Sequence, residues 1–410
     1  MTLKSTLRTM QTKLFSHTSR KNSSRCTIWA TVAIVSLLIN LIVVLPYIKP
    51  CHDIIVQKMA LKSRFNEKTP DKELLNTVCR ATLDHSDVKM SMNEPKGLPL
   101  DLINFFKPKR NSDTRNNYYT AYGYAGLSYY GIQTKNRTLM ESLKQKASSM
   151  YDAKKGVLTY DIIKIDQVPI GIFFLNMYRW YNKEEYRTVA RNIFKHVMER
   201  RNANGIVMYR PDTKVQLSDA VGMYVPFLME YFNVTGDSLA YKAAYHNMKE
   251  YYTYGVDHRT GIPAHGYDLK SGILTGSANW GRGIGWYLLA AAYCPQINDP
   301  ALNKTLSAVE YTQFPGSSEK FDSSTALMFE IYKQSKNPHR KLSLSFIKPH
   351  VSTDGFVGDC SGDTYGLNSY SKMFGESELC NGLLLMLASR FSNTTRPQTQ
   401  TGHQFVNDSF

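Results

Sequence analysis

The stretch IDQVPIGIFFLNMYRWYNKEEYRTVARNIFKHV, residues 165–197, contains an aspartate, an apolar segment that ends in aromatic residues, and a second amphipathic segment. The same order returns in SDAVGMYVPFLMEYFNVTGDSLAYKAAYHNMKEYY, residues 218–252, and the two leading aspartates, Asp166 and Asp219, are 53 positions apart. Apolar residues at three- and four-residue spacing predict helices in both stretches. A two-helix unit that recurs about every fifty residues predicts a solenoid of helical hairpins or, if the chain closes on itself, a toroid.

The rest of the chain from about residue 117 follows the same pattern. Apolar helical runs alternate with turns rich in Gly, Asn and Asp, and strand-like alternation is scarce, so the predicted fold class is all-α. In a toroid the apolar helix of each hairpin lines the inside, and the residues that precede these helices gather at one end. We therefore expect five such residues to share one mouth: Asp166, Asp219, Trp280, Arg282 and Asp322.

The N-terminus carries a basic segment followed by a long uncharged one. Residues 1–25 contain six Lys and Arg and no acid, and residues 26–48 contain no charge. At ~1.5 Å per residue the uncharged segment spans about 30 Å, the thickness of a bilayer core. It is longer than the apolar region of a signal peptide, and no small-residue cleavage site follows it. The positive-inside rule then predicts a single-pass signal anchor with a cytoplasmic N-terminus and residues 49–410 in the periplasm, the cell exterior or the secretory lumen.

These features divide the chain into five parts. Proline, glycine and charge with little periodicity predict a stalk ahead of the helical domain. The expected parts are a basic cytoplasmic tail (1–25), a transmembrane anchor (26–48), a stalk (49–115), the helical domain (116–395) and a polar C-terminal tail (396–410).

The net charge of +16 narrows the class of partner. The chain beyond the tail is still basic, which suits an acidic glycan, a membrane surface or nucleic acid. An extracytoplasmic location disfavours nucleic acid, and the sequence has neither a basic-aromatic nucleic-acid motif nor a phosphate loop. No His/Cys cluster has metal-ligand spacing, so we expect no metal.

Five cysteines follow the apolar segment, so at least one is unpaired or pairs between chains. Cys360 could pair with Cys380, and Cys51 with Cys79. The sequence leaves this pairing open.

The leading aspartates are the candidate chemical groups, although each has a simpler interpretation. Asp is a preferred helix N-cap, and capping is the favoured interpretation for Asp322. Asp166 lies in IIKIDQVPIGIFF, an apolar setting in which burial raises the pKa of a carboxyl group. A carboxyl with a raised pKa can serve as a general acid near neutral pH.

Several short motifs, taken in order, resemble one group of enzymes. They are SDAVGMYVPFLMEYFNVTGD, TGIPAHGYDLKSG, NWGRGIGW, DSSTALMFEIY and GESELCNGLLLMLAS. Their order and spacing between about 117 and 392 resemble glycoside hydrolase families 88 and 105, the unsaturated glucuronyl and rhamnogalacturonyl hydrolases. The resemblance implies an (α/α)6 barrel of helical hairpins behind the N-terminal transmembrane helix.

The resemblance also implies roles for individual residues. Asp219 matches the general acid/base and Asp166 the second active-site aspartate. Indole can stack on a planar enol-ether ring, and a guanidinium suits its carboxylate. Taken alone, the histidine would equally be structural and the tryptophans would be core residues. The residues implied to bind substrate are His265, Trp280, Arg282 and Trp286.

The implied reaction hydrates the C4=C5 double bond of a terminal unsaturated uronic acid on an acidic oligosaccharide or polysaccharide, without a metal or cofactor. The motif around Trp280 departs from the family pattern at Ile284, where a polar residue is usual. Two alternatives remain. One is another glycosidase on the same scaffold that acts on saturated glycans. The other is a non-catalytic glycan-binding or assembly protein of envelope polysaccharide biosynthesis.

Overall fold

The computed structural model describes residues 26–44, 65–85, 117–276, 280–294, 321–367, 369–370 and 374–392. The chain divides into two compact units, one of residues 1–53 with 93–109 and the other of residues 54–92 with 110–410. The predicted cytoplasmic and C-terminal tails, and the predicted stalk apart from residues 65–85, lie outside the described residues.

The described part of the first unit is one helix, α1, Cys26–Val44. Its large apolar side chains are exposed along the whole length, including Trp29, Leu37 and Leu41. By length and composition the helix could cross a membrane, although a signal sequence near the N-terminus would meet the same criteria.

The second unit is mostly helical, which confirms the predicted class. Short 3₁₀ turns occupy Ile165–Gln167 and Lys348–His350. The helices, in chain order, are α2 (Asp71–Asp84), α3 (Tyr118–Gln133), α4 (Arg137–Ser148), α5 (Ile170–Tyr181), α6 (Glu184–Glu199), α7 (Ser218–Thr235), α8 (Ser238–Gly255), α9 (Gly281–Tyr293), α10 (Ser323–Lys336) and α11 (Glu378–Ser389).

Six of these helices, α3, α5, α7, α9, α10 and α11, are buried over most of their surface. Each packs against the next in that order, and α11 packs against α3, so the series of contacts returns to its first helix. The helices α4, α6 and α8 pack against the helix that precedes each of them. They are amphipathic: α6, for example, buries Tyr186, Val189, Ile193 and Val197 along one face.

The predicted stalk contains a helix that belongs to this unit. Helix α2 packs against α3 and α11, and its Leu74 and Val78 are fully buried. These two residues are four positions apart and therefore lie on one helical face. The expectation of an irregular stalk over 49–115 thus needs correction at α2, because a single apolar stripe is a weak signal among prolines and charges.

Residues that favour helix ends occupy the ends of several helices. Asn117, Asn136 and Asp237 cap the N-termini of α3, α4 and α8 with side-chain oxygens. Asn182 ends α5 with φ 52°, and Gly236 ends α7 with φ 73°, in the left-handed conformation common at helix C-termini.

The strands are two or three residues long and connect the helices. β1 (Tyr151–Asp152) pairs with β2 (Val157–Leu158), and β4 (Val256–Asp257) pairs with β5 (Ile262–Pro263). β6 (Gly266–Asp268) lies between β3 (Val215–Leu217) and β7 (Leu274–Thr275). β8 (Cys360–Ser361) pairs with β11 (Phe374–Gly375), and β9 (Thr364–Gly366) pairs with β10 (Ser369–Tyr370). All of these pairings are antiparallel.

Two features join the end of the chain to the rest of the unit. Gly126 of α3 faces Gly382 of α11 so closely that a Cβ at Gly126 would lie 2.3 Å from the Gly382 carbonyl oxygen. Cys360 and Cys380 form a disulfide between β8 and α11, which is one of the two pairings considered from the sequence. Cys79 is a free, buried thiol, and Cys51 lies outside the described residues.

Candidate active site

The predicted site residues lie where the buried helices begin. Asp166 is in the 3₁₀ turn before α5, and Asp219 is in the first turn of α7. Trp280 is the N-terminal flanking residue of α9 and Arg282 lies in its first turn. Asp322 holds the equivalent position at α10. The sequence therefore places each of them correctly relative to its helix.

Asp166 has a buried carboxyl group with an unused oxygen. The Tyr209 hydroxyl donates to its Oδ2 at 3.3 Å, whereas Oδ1 is buried and has no partner among the described residues. Burial raises the pKa of Asp166 to about 6, and the negative charges of Asp363 and Asp219 act in the same direction against the nearby Lys164. The apolar setting predicted this shift.

The carboxyl group of Asp219 interacts electrostatically with other residues of the candidate site. Its Oδ1 accepts the Ala220 amide at 2.8 Å. Burial raises the pKa of Asp219, while His265 and Arg282 lower it. Burial raises the pKa of the Tyr209 hydroxyl, and the negative charges of Asp166 and Asp219 raise it further. The two carboxyl groups are thus close enough to influence each other and a shared tyrosine.

The position of His265 follows from the small sheet. Pairing of β3 with β6, and a hydrogen bond from the Ser218 amide to the His265 carbonyl at 2.9 Å, place His265 beside the start of α7. Its ring lies 4.4 Å from that of Trp280 and 5.6 Å from that of Tyr370, and the last two rings are 5.3 Å apart. Burial lowers the pKa of His265, against the charge of Asp219. These three rings form an aromatic cluster beside Asp219.

Arg282 is buried and its terminal nitrogens are engaged. Its side chain is 2% exposed. Nη1 donates to the Ser361 carbonyl and Nη2 to the Gly362 carbonyl, both at 2.6 Å, and Nη2 also lies 3.3 Å from Asp363 Oδ1. In this structure Arg282 holds the segment 361–363 against α9 through both Nη atoms.

Trp286 and Ile284 are core residues of α9. Trp286 is 1% exposed and contacts the rings of Tyr118 and Tyr122. A Cβ at Gly222 would lie 2.8 Å from Trp286 Cβ, so α7 and α9 approach closely here. Ile284, the unusual residue of the tryptophan motif, is also buried. Trp286 therefore packs against α3 and α7 in this structure, and its contact with substrate stays a prediction.

Asp322 caps α10, as its position predicted. Its carboxylate accepts the Ser324 amide at 3.1 Å and the Ser361 amide at 2.9 Å, together with the Thr325 hydroxyl at 2.6 Å. It therefore joins the start of α10 to β8, the strand whose end Arg282 holds.

The structure adds residues to the site that the motifs did not indicate. Three of them lie in turns and short strands, outside the helical periodicity, and the other two begin α3, where no motif marks them. The added residues are Tyr118, Tyr119, Tyr209, Asp363 and Tyr370. Among the described residues no group of His, Cys, Asp and Glu could hold a metal ion.

Comparison with known proteins identifies the family of the chain and its fold. The family model Glycosyl Hydrolase Family 88 matches residues 100–304, half of the chain. No curated protein matches the sequence significantly.

Among solved structures, a possible member of glycoside hydrolase family 105 from Klebsiella pneumoniae has a TM-score of 0.61 at 13% identity, covering 79% of this chain and 93% of its own. An unsaturated glucuronyl hydrolase specific for heparin has a TM-score of 0.54 at 12% identity, covering 78% and 95%. An α-1,6-mannanase from Salegentibacter sp. HEL1_6 has a TM-score of 0.52 at 14% identity, covering 78% and 98%. At these identities the likeness shows a shared fold.

Proposed function

Because the chain belongs to Glycosyl Hydrolase Family 88, we propose that it removes a terminal unsaturated uronic acid from an acidic oligosaccharide by hydrating the C4=C5 double bond. We further infer that the six buried helices are the inner ring of an (α/α)6 barrel. Three paired outer helices and the return of the contact series from α11 to α3 support this arrangement.

One observation carries the proposed chemistry: two carboxyl groups with raised pKa values, Asp166 and Asp219, lie within electrostatic reach of each other. A carboxyl whose pKa is raised keeps its proton at a higher pH than a surface carboxylate does, so it can donate that proton to carbon more efficiently. Oδ1 of Asp166 has no partner in the part of the chain that the structure describes, which leaves a buried hydrogen-bonding atom for a ligand to use.

In the proposed reaction Asp219 donates a proton to C4 while a water molecule adds to C5. The Asp219 carboxylate then takes a proton from that water and returns to its acid form. The hemiketal formed at C5 opens to a ketone, which leaves a hemiacetal at C1. Collapse of this hemiacetal to an aldehyde releases the neighbouring sugar as an alcohol. Asp166 holds the ring, and His265 and Trp280 line its other side.

The test follows the enol ether directly. Full-length protein in detergent is incubated with lyase-generated unsaturated disaccharides, and loss of far-ultraviolet absorbance is recorded. We expect Asp219→Asn to lower kcat by about 100-fold or more with a small change in KM. Asp161→Asn, which alters an exposed carboxylate near the site, should leave both constants unchanged. Unchanged absorbance with the wild-type protein would overturn the proposal.

The engaged Nη atoms of Arg282 favour a second candidate. A glycosidase of saturated, uncharged glycans needs no cation for a substrate carboxylate, and two carboxyls of raised pKa also suit ordinary glycoside hydrolysis. Release of reducing sugar from saturated oligosaccharides, without loss of enol-ether absorbance from unsaturated ones, would establish this activity instead.

We also propose that α1 anchors the protein in a membrane as a single span, with residues 1–25 in the cytoplasm and the helical domain outside it. The uncharged length of α1 and the basic segment before it support this orientation. The full-length chain should remain in membranes after an alkaline carbonate wash, and protease added from outside the cytoplasm should digest the helical domain. Recovery of a shortened, soluble chain would indicate a cleaved signal sequence.

A further inference from the structure

Asp363 lies in the segment that follows β8, at the start of α9 where the candidate site is. Three donors converge on its Oδ1: the hydroxyls of Tyr118 and Tyr119, the latter at 2.5 Å, and Nη2 of Arg282 at 3.3 Å. Its partner Arg282 lies in the first turn of α9, with the guanidinium carbon 5.7 Å from the centre of the Trp280 ring, and the charge of Asp363 raises the pKa values of both Asp166 and Asp219.

The groups that hold Asp363 are themselves fixed. Tyr118 and Tyr119 are consecutive residues of α3 with stacked rings, 4.2 Å between centroids, and both are buried. Arg282 is held from the other side by the carbonyls of Ser361 and Gly362. Helices α3 and α9 therefore fix the position of this carboxylate from two directions.

Among the described residues, hydrogen-bond donors reach only one of the two carboxylate oxygens. Oδ2 of Asp363 accepts no hydrogen bond from the described residues, and the side chain is 14% exposed while its partner Arg282 is 2% exposed. A carboxylate has about four acceptor positions. Asp363 is held rigidly near Asp166 and Asp219, and its Oδ2 can still accept a hydrogen bond. Such an acceptor can orient a sugar by binding one of its hydroxyl groups.

We propose that Asp363 is a substrate-positioning residue whose Oδ2 accepts a hydrogen bond from a ring hydroxyl of the sugar on which Asp166 and Asp219 act. This inference rests on the proposed function only in taking that sugar as the ligand. It also defines a substrate class: the hydroxyl must be unsubstituted, because a sulfate ester there has no proton to donate and is repelled by the carboxylate. The site therefore selects uronyl ends that are unsulfated at this position.

Binding tests the inference without turnover. In the full-length Asp219→Asn protein, calorimetry measures Kd for an unsaturated disaccharide, for its 2-deoxy and 3-deoxy analogues, and for its 2-sulfated and 3-sulfated forms. Adding Asp363→Asn should weaken binding of the parent disaccharide by about 10- to 100-fold, the range for hydrogen bonds to charged groups. In the protein that keeps Asp363, one of the two deoxy analogues should bind as weakly as the parent disaccharide binds to the Asp363→Asn variant. That analogue should bind to the variant no more weakly still.

The sulfated forms and a matched control separate positioning from a structural defect. The disaccharide sulfated at the position that the deoxy analogue identifies should bind more weakly than the parent disaccharide. Asp363→Asn should reduce the ratio of their two Kd values. Asp354→Asn changes an exposed aspartate in the turn nine residues earlier and should leave every Kd unchanged. Additive losses with both deoxy analogues, or equal affinity for the sulfated and parent sugars, would overturn the inference.

Failure of the proposed function is distinguishable from failure of this inference. If wild-type protein leaves the enol-ether absorbance unchanged, the same cycle is run with the saturated disaccharide and its deoxy analogues. If the losses from Asp363→Asn and from one deoxy analogue are again not additive, the positioning role of Asp363 is supported while the hydration reaction is rejected. Absence of binding to every disaccharide rejects both.

Discussion

The raised pKa of Asp166 makes a prediction about stability that is independent of any substrate. Its pKa rises from 3.8 to about 6 on folding, chiefly through burial. The folded state therefore binds the proton more tightly than the unfolded state does. The stability from this group is complete below pH 4 and is lost as the pH rises to 6, because only the unfolded chain can ionise freely in that window.

The magnitude follows from the size of the shift. A change from 3.8 to about 6 corresponds to about 3 kcal/mol at most, since one pKa unit is worth 1.36 kcal/mol. Replacing Asp166 with Asn removes the ionisable group and keeps an oxygen to accept the Tyr209 hydroxyl. At pH 7.5 we expect Asp166→Asn to be about 1–3 kcal/mol more stable than wild type, and at pH 4 about equal to it.

Thermal unfolding of the full-length protein in detergent, followed by circular dichroism, measures this difference. A gain of 1–3 kcal/mol corresponds to roughly 2–8 °C in Tm at pH 7.5 for a domain of this size. Asp161→Asn, the exposed control, should show the same Tm as wild type at both pH values. A difference between Asp166→Asn and wild type that is the same at pH 4 and pH 7.5, or a loss of stability at pH 7.5, would refute the assignment of burial as the cause.

Three further predictions concern other parts of the molecule. Because the proposed proton donor Asp219 must be protonated and burial raises its pKa, kcat/KM for the unsaturated disaccharide should fall by up to tenfold per pH unit on the alkaline side of its profile; a flat profile from pH 5 to 8 would contradict this. Glu230 is fully buried between Arg179 and Arg390, which hold its pKa at about 2, so Glu230→Gln should cost about 3–5 kcal/mol in denaturant unfolding near pH 7, and an unchanged midpoint would show that the ion pairs contribute nothing. A methyl group at Gly126 would collide with the backbone of Gly382, so Gly126→Ala should lower stability by about 3 kcal/mol or more, whereas equal Tm values would mean that α3 and α11 can separate freely.

The sequence predicted what depends on helical periodicity and on the residue just before a helix. Asp166, Asp219 and Asp322 were located from the apolar runs that follow them, and the apolar neighbours of Asp166 predicted its raised pKa. These are local properties, because the residues at the start of a buried helix lie beside the core with it.

The sequence could not predict which side chains meet across the molecule. Arg282 and Trp286 are predicted to bind substrate, and that role stays a prediction, but their burial depends on segment 361–363 and on α3, which are distant in sequence. Asp363 was missed because it follows a strand of two residues, too short to show alternation. Tyr209 was missed because its segment has no periodicity at all. Long-range packing decides these contacts, and no local pattern encodes it.

The close contact between Gly126 and Gly382 has a consequence for how the protein is made. Helix α11 is needed to close the series that begins with α3, so the apolar faces of the earlier helices stay uncovered until α11 has been synthesised. At 5–20 residues per second, the interval between the two helices is roughly 15–50 s. If α1 is inserted in a membrane during that time, the nascent domain is tethered at one end while its interior is open. We expect translation stalled before Glu378 to leave a chaperone-bound, protease-sensitive chain at the membrane surface.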